Sequence, residues 1–154
     1  MSNNSSILLF LVAFSSGLIG CGTDSAACGS RFQSDSDLAP LLTNFELKRQ
    51  LDGDPWTLIF SATFEDSNGD LGGLGQAKFF LSGEEAATLS LDDVFRQSGV
   101  TLDATDGVLA LPLRFSETVS DGAQVVLGLQ LYDSNSFASN CYSLGLEFNV
   151  DELP

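Results

Sequence analysis

LIFSATF, residues 58–64, puts Leu58, Phe60, Ala62 and Phe64 at every second position, with Ile59, Ser61 and Thr63 between them. Side chains along an extended chain point alternately to opposite faces, so this spacing predicts a strand with one buried face. The period recurs downstream. Ala77, Phe79 and Leu81 keep it, as do Leu109, Leu111, Leu113 and Phe115, then Val125, Leu127, Leu129 and Leu131. Tyr142, Leu144, Leu146, Phe148 and Val150 close the series, with Ser143, Gly145, Glu147 and Asn149 facing out. Residues 44–51 are a weaker candidate for a first strand. Asn68-Gly69, Ser82-Gly83, Asp106-Gly107 and Asp121-Gly122 read as turns between the runs. Pro112 has no amide hydrogen to give a ladder, which marks its run as an edge strand or a bulge.

Six or seven such strands predict an all-β fold, a single antiparallel two-sheet sandwich over residues 41–154. Residues 90–97 break the alternation. Ser90 suits a helix cap, Asp92 and Asp93 suit a first turn, Arg96 a last turn, and Gly99 a stop. A short helix crossing between the sheets and an irregular loop both fit.

The 154 residues carry 21 Asp plus Glu against 6 Lys plus Arg, a net charge of −15. None of these charges precedes Gly20. Such a field repels nucleic-acid phosphates and anionic headgroups, and favours cations or a basic protein partner. The chain has no His. That removes the commonest general base and the usual zinc and copper ligand sets.

Residues 7–19, ILLFLVAFSSGLI, form an apolar run too short to span a bilayer as a helix, which needs about 20 residues. The run suits the apolar part of a signal peptide, residues 1–20. Leu18-Ile19-Gly20-Cys21 resembles the lipobox of bacterial lipoproteins. The resemblance implies cleavage before Cys21, a diacylglyceryl group on its thiol, and acylation of the new amine. Several acyl chains give firm membrane anchoring where one does not. The leader MSNNSS departs from that family in having no Lys or Arg. Gly22, rather than Asp, after the Cys implies the outer membrane by similarity to enteric bacterial sorting. With Cys21 lipidated, Cys28 and Cys141 remain in an oxidising compartment, where a disulfide between them is expected. Two free buried thiols are the alternative. Residues 22–38, rich in Ser, Asp, Ala and Gly, read as a tether that such a crosslink would shorten. The anchored part and tether thus cover residues 21–40.

FSATFEDSNGDLGG, residues 60–73, and GLQLYDSNSFASNCYSLGLEFNV, residues 128–150, resemble bacterial immunoglobulin-like or fibronectin-III-like domains of secreted lipoproteins. An immunoglobulin-type domain also implies a core disulfide around a Trp. Here Trp56 opens a strand and the Cys pair is placed differently.

The acidic stretch within the first of these segments has the spacing that opens an EF-hand: Asp66, Asn68, Asp70. Its sixth position is Leu71 where Gly is needed, and its twelfth is Ala77 where Glu is needed, so no EF-hand forms. Gly69, Gly72, Gly73 and Gly75 fit no phosphate loop either. A looser site stands beside these failures. In an immunoglobulin-like sandwich, the loop after the second strand and the loop between the last two strands share one end. Asp66, Asn68 and Asp70 would then meet Asp133, Ser134 and Asn135, a set of oxygens suited to calcium. The alternative is turn chemistry alone, which uses the same residue types.

Asp92-Asp93 and Glu84-Glu85 are adjacent pairs whose members point apart or into solvent, and neither announces acid–base catalysis. Val126, Phe80 and Tyr132 are candidates for a contact face, unless a loop or the tether buries them. Taken together, these features predict a lipid-anchored, non-catalytic envelope lipoprotein acting as a binding or structural module. A calcium-stabilised adhesion or matrix module is a second expectation, and a small carboxylate-dependent hydrolase a third.

Overall fold

A computed structural model describes residues 27–29, 33–51, 54–115 and 122–147. The expected signal peptide, Cys21, Phe148 and Val150 lie outside the described residues. Seven strands and one helix follow in order: β1 (Leu41–Leu51), β2 (Asp54–Glu65), β3 (Gln76–Leu81), β4 (Glu84–Ser90), α1 (Leu91–Ser98), β5 (Asp106–Arg114), β6 (Gln124–Tyr132) and β7 (Tyr142–Glu147). One sheet has the order β1-β2-β5 and the other β4-β3-β6-β7. All pairings are antiparallel. The fold is a two-sheet β-sandwich, as the alternation predicts.

The inward faces are those the period selects. Phe60 pairs with Leu111, Leu58 with Leu113 and Ala62 with Leu109, and all six are buried. From the opposite sheet come Ala77, Phe79, Leu127, Leu129, Leu131 and Leu146. Phe60 joins the two layers, its ring 5.4 Å from Phe45 and 6.3 Å from Phe79. Burying one such ring stabilises the fold by about 1.5–3 kcal/mol.

Strand β1 is a faint signal because it is bulged. Its register shifts between Leu42 and Asn44, so the core residues Leu42 and Phe45 stand three apart instead of two. One inserted residue moves every later side chain to the other face. Strand β4 shows the period only weakly. It is an edge strand reached through a two-residue turn, Ser82 and Gly83, with φ of 50° and 89°. None of its residues is fully buried, and its inward apolar face is reduced to Ala87 and Leu89, half-buried against the core. The expected turn at Asp106-Gly107 is instead the first rung of β5, paired with Glu65 and Phe64. Pro112 sits on β5, an edge strand, where a missing amide hydrogen is tolerated.

Helix α1 carries the chain from the second sheet to the first and buries Leu91, Val94 and Phe95. The Phe95 ring lies 5.2 Å from that of Phe64. Gly99 ends the helix in the left-handed conformation, and Asp92 pairs with Arg96 one turn on at 3.1 Å. Ser90 occupies the cap position but its side chain makes no capping bond.

Part of the expected tether is packed. Cys28 is bonded to Cys141 across 113 residues of chain. Ala27 and Cys28 are buried on the outer face of β6, over Gly128. A Cβ at Gly128 would lie 2.4 Å from the Ala27 carbonyl oxygen, so only glycine leaves room for this segment. Further on, the Ser34 amide donates to the Ala138 carbonyl at 3.0 Å, and the Ala138 amide donates to Ser34 Oγ at 2.8 Å. Phe80, in register with Gly128, is buried on that same outer face and is no contact surface. Val126 is 44% exposed, and Tyr132 is half-buried beneath Lys78, whose Nζ stands 5.1 Å from the ring centre.

Candidate functional site

The β2–β3 loop and the β6–β7 connection meet at one end of the sandwich. Strand β2 ends at Glu65 and the chain turns at once, with the Gly69 amide donating to the Asp66 carbonyl at 3.2 Å. Leu71 then dives into the core with no exposed surface. Gly75 lets the loop close on itself, since a Cβ there would lie 2.0 Å from the Leu71 carbonyl oxygen. Gly69 and Gly72 likewise sit where a Cβ would meet the backbone at Asp103 and Leu102, so these glycines serve close backbone packing.

Three carboxylates come together here. Asp66 and Asp133 are 1% and 3% exposed, and Asp70 is half-buried. Each has one oxygen anchored by hydrogen bonds. Asp66 Oδ2 accepts from the Leu71 amide at 2.9 Å. Asp133 Oδ1 accepts from the amides of Asn135 and Phe137, both at 2.8 Å. Asp70 Oδ2 accepts from Ser134 Oγ at 3.1 Å and from the Asn135 side-chain amide. The Ser134 amide also donates to the Asp70 carbonyl at 3.4 Å, fastening loop to loop.

Among the described residues, the other oxygen of each carboxylate has no partner. Asp66 Oδ1, Asp70 Oδ1 and Asp133 Oδ2 are all buried and make no hydrogen bond. Burial pushes the Asp66 carboxyl above its ordinary value. Its bond from the Leu71 amide opposes this, and the charges of Asp70 and Asp133 add to it. Burial likewise raises Asp133, with the Phe137 amide opposing and the Asp70 charge adding. The charge of Asp70 therefore disfavours ionisation of both Asp66 and Asp133, and that of Asp133 disfavours ionisation of Asp66.

Of the expected calcium set, the structure unites Asp66, Asp70 and Asp133, with Ser134 and Asn135 as donors to Asp70. It leaves Asn68 exposed, with no hydrogen bond to the carboxylates among the described residues. Among the described residues, no three acidic or Cys side chains already close around a metal-sized point. One member of each adjacent acid pair is engaged elsewhere: Glu85 accepts from Thr88 at 3.0 Å and pairs with Lys78 at 3.5 Å, and Asp92 holds Arg96.

A second polar cluster in the same connection has no counterpart in the sequence reading. The Asn140 side chain accepts from the Leu42 amide at 2.7 Å and donates to the Leu42 carbonyl at 3.0 Å, extending β1 as a strand neighbour would. Ser139, fully buried, accepts from the Leu131 amide and donates to the Asn140 carbonyl. Gln130 donates to the Ser139 carbonyl at 2.8 Å and accepts from the Tyr132 hydroxyl at 2.9 Å. Nothing in a run such as FASNCY distinguishes these residues from an ordinary polar hairpin.

The chain matches no known family model and no curated protein.

Proposed function

We propose that the chain is a lipid-anchored, non-catalytic lipoprotein of a bacterial envelope, its sandwich serving as a binding or structural module. The observation that carries this is the Cys28–Cys141 disulfide. Such bonds persist in oxidising compartments outside the cytosol. The bond also fastens the chain to the domain a few residues after Cys21, the candidate lipidation site in Leu18-Ile19-Gly20-Cys21. A domain held that close to an acyl anchor would stay near the bilayer. Its net charge of −15 would keep its faces off anionic headgroups and leave them to a cationic or basic partner. The strand order, β1-β2-β5 facing β4-β3-β6-β7, supports an immunoglobulin-like or fibronectin-III-like placement. Gly22 supports the outer membrane as destination.

Metabolic labelling with a clickable fatty acid tests the anchor. The native chain takes up label and partitions with membranes, and Cys21→Ala loses both. Equal labelling of the two chains, or none in either, would remove the anchor from the proposal. A second role, as a cation-stabilised module, is favoured by the unpartnered carboxylate oxygens.

A further inference from the structure

We propose that Asp66 Oδ1, Asp70 Oδ1 and Asp133 Oδ2 are ligands of one calcium ion, held between the β2–β3 loop and the β6–β7 connection. This deepens the reading of the chain as a non-catalytic exported module by giving that module a specific ligand. Two independent observations converge on it. The first is the gathering of three acidic side chains from two loops that are already fastened to each other through Asp70, Ser134 and Asn135. The second is that Asp66 and Asp133, almost wholly buried, each keep one oxygen without a partner among the described residues, as Asp70 does, while the three charges act on one another.

Turn chemistry explains one oxygen of each residue and stops there. The bonds from Leu71, Asn135 and Phe137 are what capping carboxylates make. They leave the remaining three oxygens without hydrogen bonds, which buried polar atoms rarely tolerate. A single proton could satisfy two of the three. A water could donate to two, but three negative charges would still face one another. A divalent cation answers both demands at once.

The donor set selects the ion. All three side-chain ligands are carboxylate oxygens, the chain has no His, and the sulfurs of Cys28 and Cys141 are spent in a disulfide, so the site lacks the nitrogen and thiolate ligands that zinc and copper prefer. Calcium takes six to eight oxygens in a flexible arrangement, and backbone carbonyls and water complete such shells. Magnesium prefers one or two carboxylates in a stricter octahedron. Among the described residues the carboxylates do not already close on one point, so the cation would have to draw their side chains inward. Its effect would be to lock the loop that carries Leu71 into the core to the connection that carries the disulfide.

The test uses the full chain in detergent, stripped with a chelator. Addition of about 10 mM calcium, a concentration suited to extracellular modules, is expected to raise Tm by roughly 5–10 °C. Potassium chloride at equal ionic strength gives little rise, and magnesium less than calcium. Asp66→Asn and Asp133→Asn keep the anchored hydrogen bonds, melt at or above the native chain without calcium, and lose the rise. Equilibrium dialysis of the native chain with radioactive calcium decides the matter even if a variant fails to fold: one ion per chain is expected. No bound ion, or a calcium rise equal to that in potassium chloride, overturns the proposal. So does a rise that persists undiminished in both variants. Failure here leaves the anchor standing, because the labelling experiment reads Cys21 alone, and loss of the anchor leaves this site standing.

Discussion

Two clusters of polar groups lie within the β6–β7 connection and its neighbours, and they are built in opposite ways. Around Ser139 and Asn140 the bonds run donor to acceptor: Leu42 is matched at both its amide and its carbonyl, and Gln130 links Ser139 to Tyr132. Around Asp133 the same connection presents a carboxylate with one oxygen matched and one abandoned, beside two more of the same kind. Both clusters are in large part buried and both tie loops to strands. A satisfied network needs nothing further and rigidifies the fold. A half-satisfied cluster of like charges costs stability unless something from outside completes it. The difference separates a structural role from a ligand-dependent one.

Removal of Asn140 should produce the largest effect. Asn140→Ala strips the partner from both backbone groups of buried Leu42, at a cost of about 2–4 kcal/mol. The loss, read by denaturant unfolding, should be the same with and without calcium. A loss that appears only in calcium would mean that the two clusters act as one.

The carboxylate end should respond with the opposite sign. In chelator, Asp66→Asn removes one of three like charges while its amide oxygen still accepts from Leu71. Its new amino group can donate to a free oxygen nearby. A gain of about 1 kcal/mol is expected for the metal-free protein. Destabilisation of the metal-free chain by this substitution would show that the Asp66 charge is already balanced.

The same gain should depend on pH. Asp66 and Asp133 have folded values raised above the ordinary 3.8, chiefly by burial. A carboxyl raised on folding binds protons more readily in the folded state. Its stabilising contribution is complete below the unfolded value and is lost as pH rises through the folded one. The native metal-free chain should therefore approach Asp66→Asn in stability as pH falls from neutrality into the carboxylate range, since the proton does what the amide does. A gap that widens on acidification would reverse the assigned direction.

How much of this was legible follows from where the signals reside. Strands β2, β5 and β6 announce themselves because Leu58 to Phe64, Leu109 to Phe115 and Leu127 to Leu131 each keep one buried face in unbroken period. Strand β1 loses its period to repeated register shifts, and β4 shows only a weak one, with Ala87 and Leu89 half-buried against the core at an exposed edge. Asp66, Asp70 and Asp133 could be brought to one end by the expected topology. Their state could not, because whether an oxygen finds a donor depends on where the amides of Leu71 and Phe137 point. Ser139 and Asn140 are silent in the sequence for a related reason. Asn140 finds Leu42 on a strand 98 residues away that only the folded chain brings near, and Ser139 meets Leu131 only once the connection folds back on β6.

The smallest effect should come from Ser134→Ala, and it bears most directly on the contrast. The Ser134 hydroxyl donates to Asp70 Oδ2 at 3.1 Å, but Ser134 is exposed, so water can replace it. Asn135 still holds that oxygen, and the Ser134 amide still reaches the Asp70 carbonyl. Metal-free stability should fall by no more than about 0.5 kcal/mol. Calcium affinity should weaken by about two- to threefold, because the bond helps to orient Oδ1 without being its ligand. Comparable calorimetric titrations of Ser134→Ala and Asp70→Asn would read the distinction. If the serine variant loses calcium as completely as the aspartate variant, the hydroxyl is itself a ligand and the three-carboxylate assignment is wrong. If it loses a few kcal/mol of metal-free stability instead, the cluster is a closed hydrogen-bond network of the Asn140 kind, and the unpaired oxygens have no ligand to await.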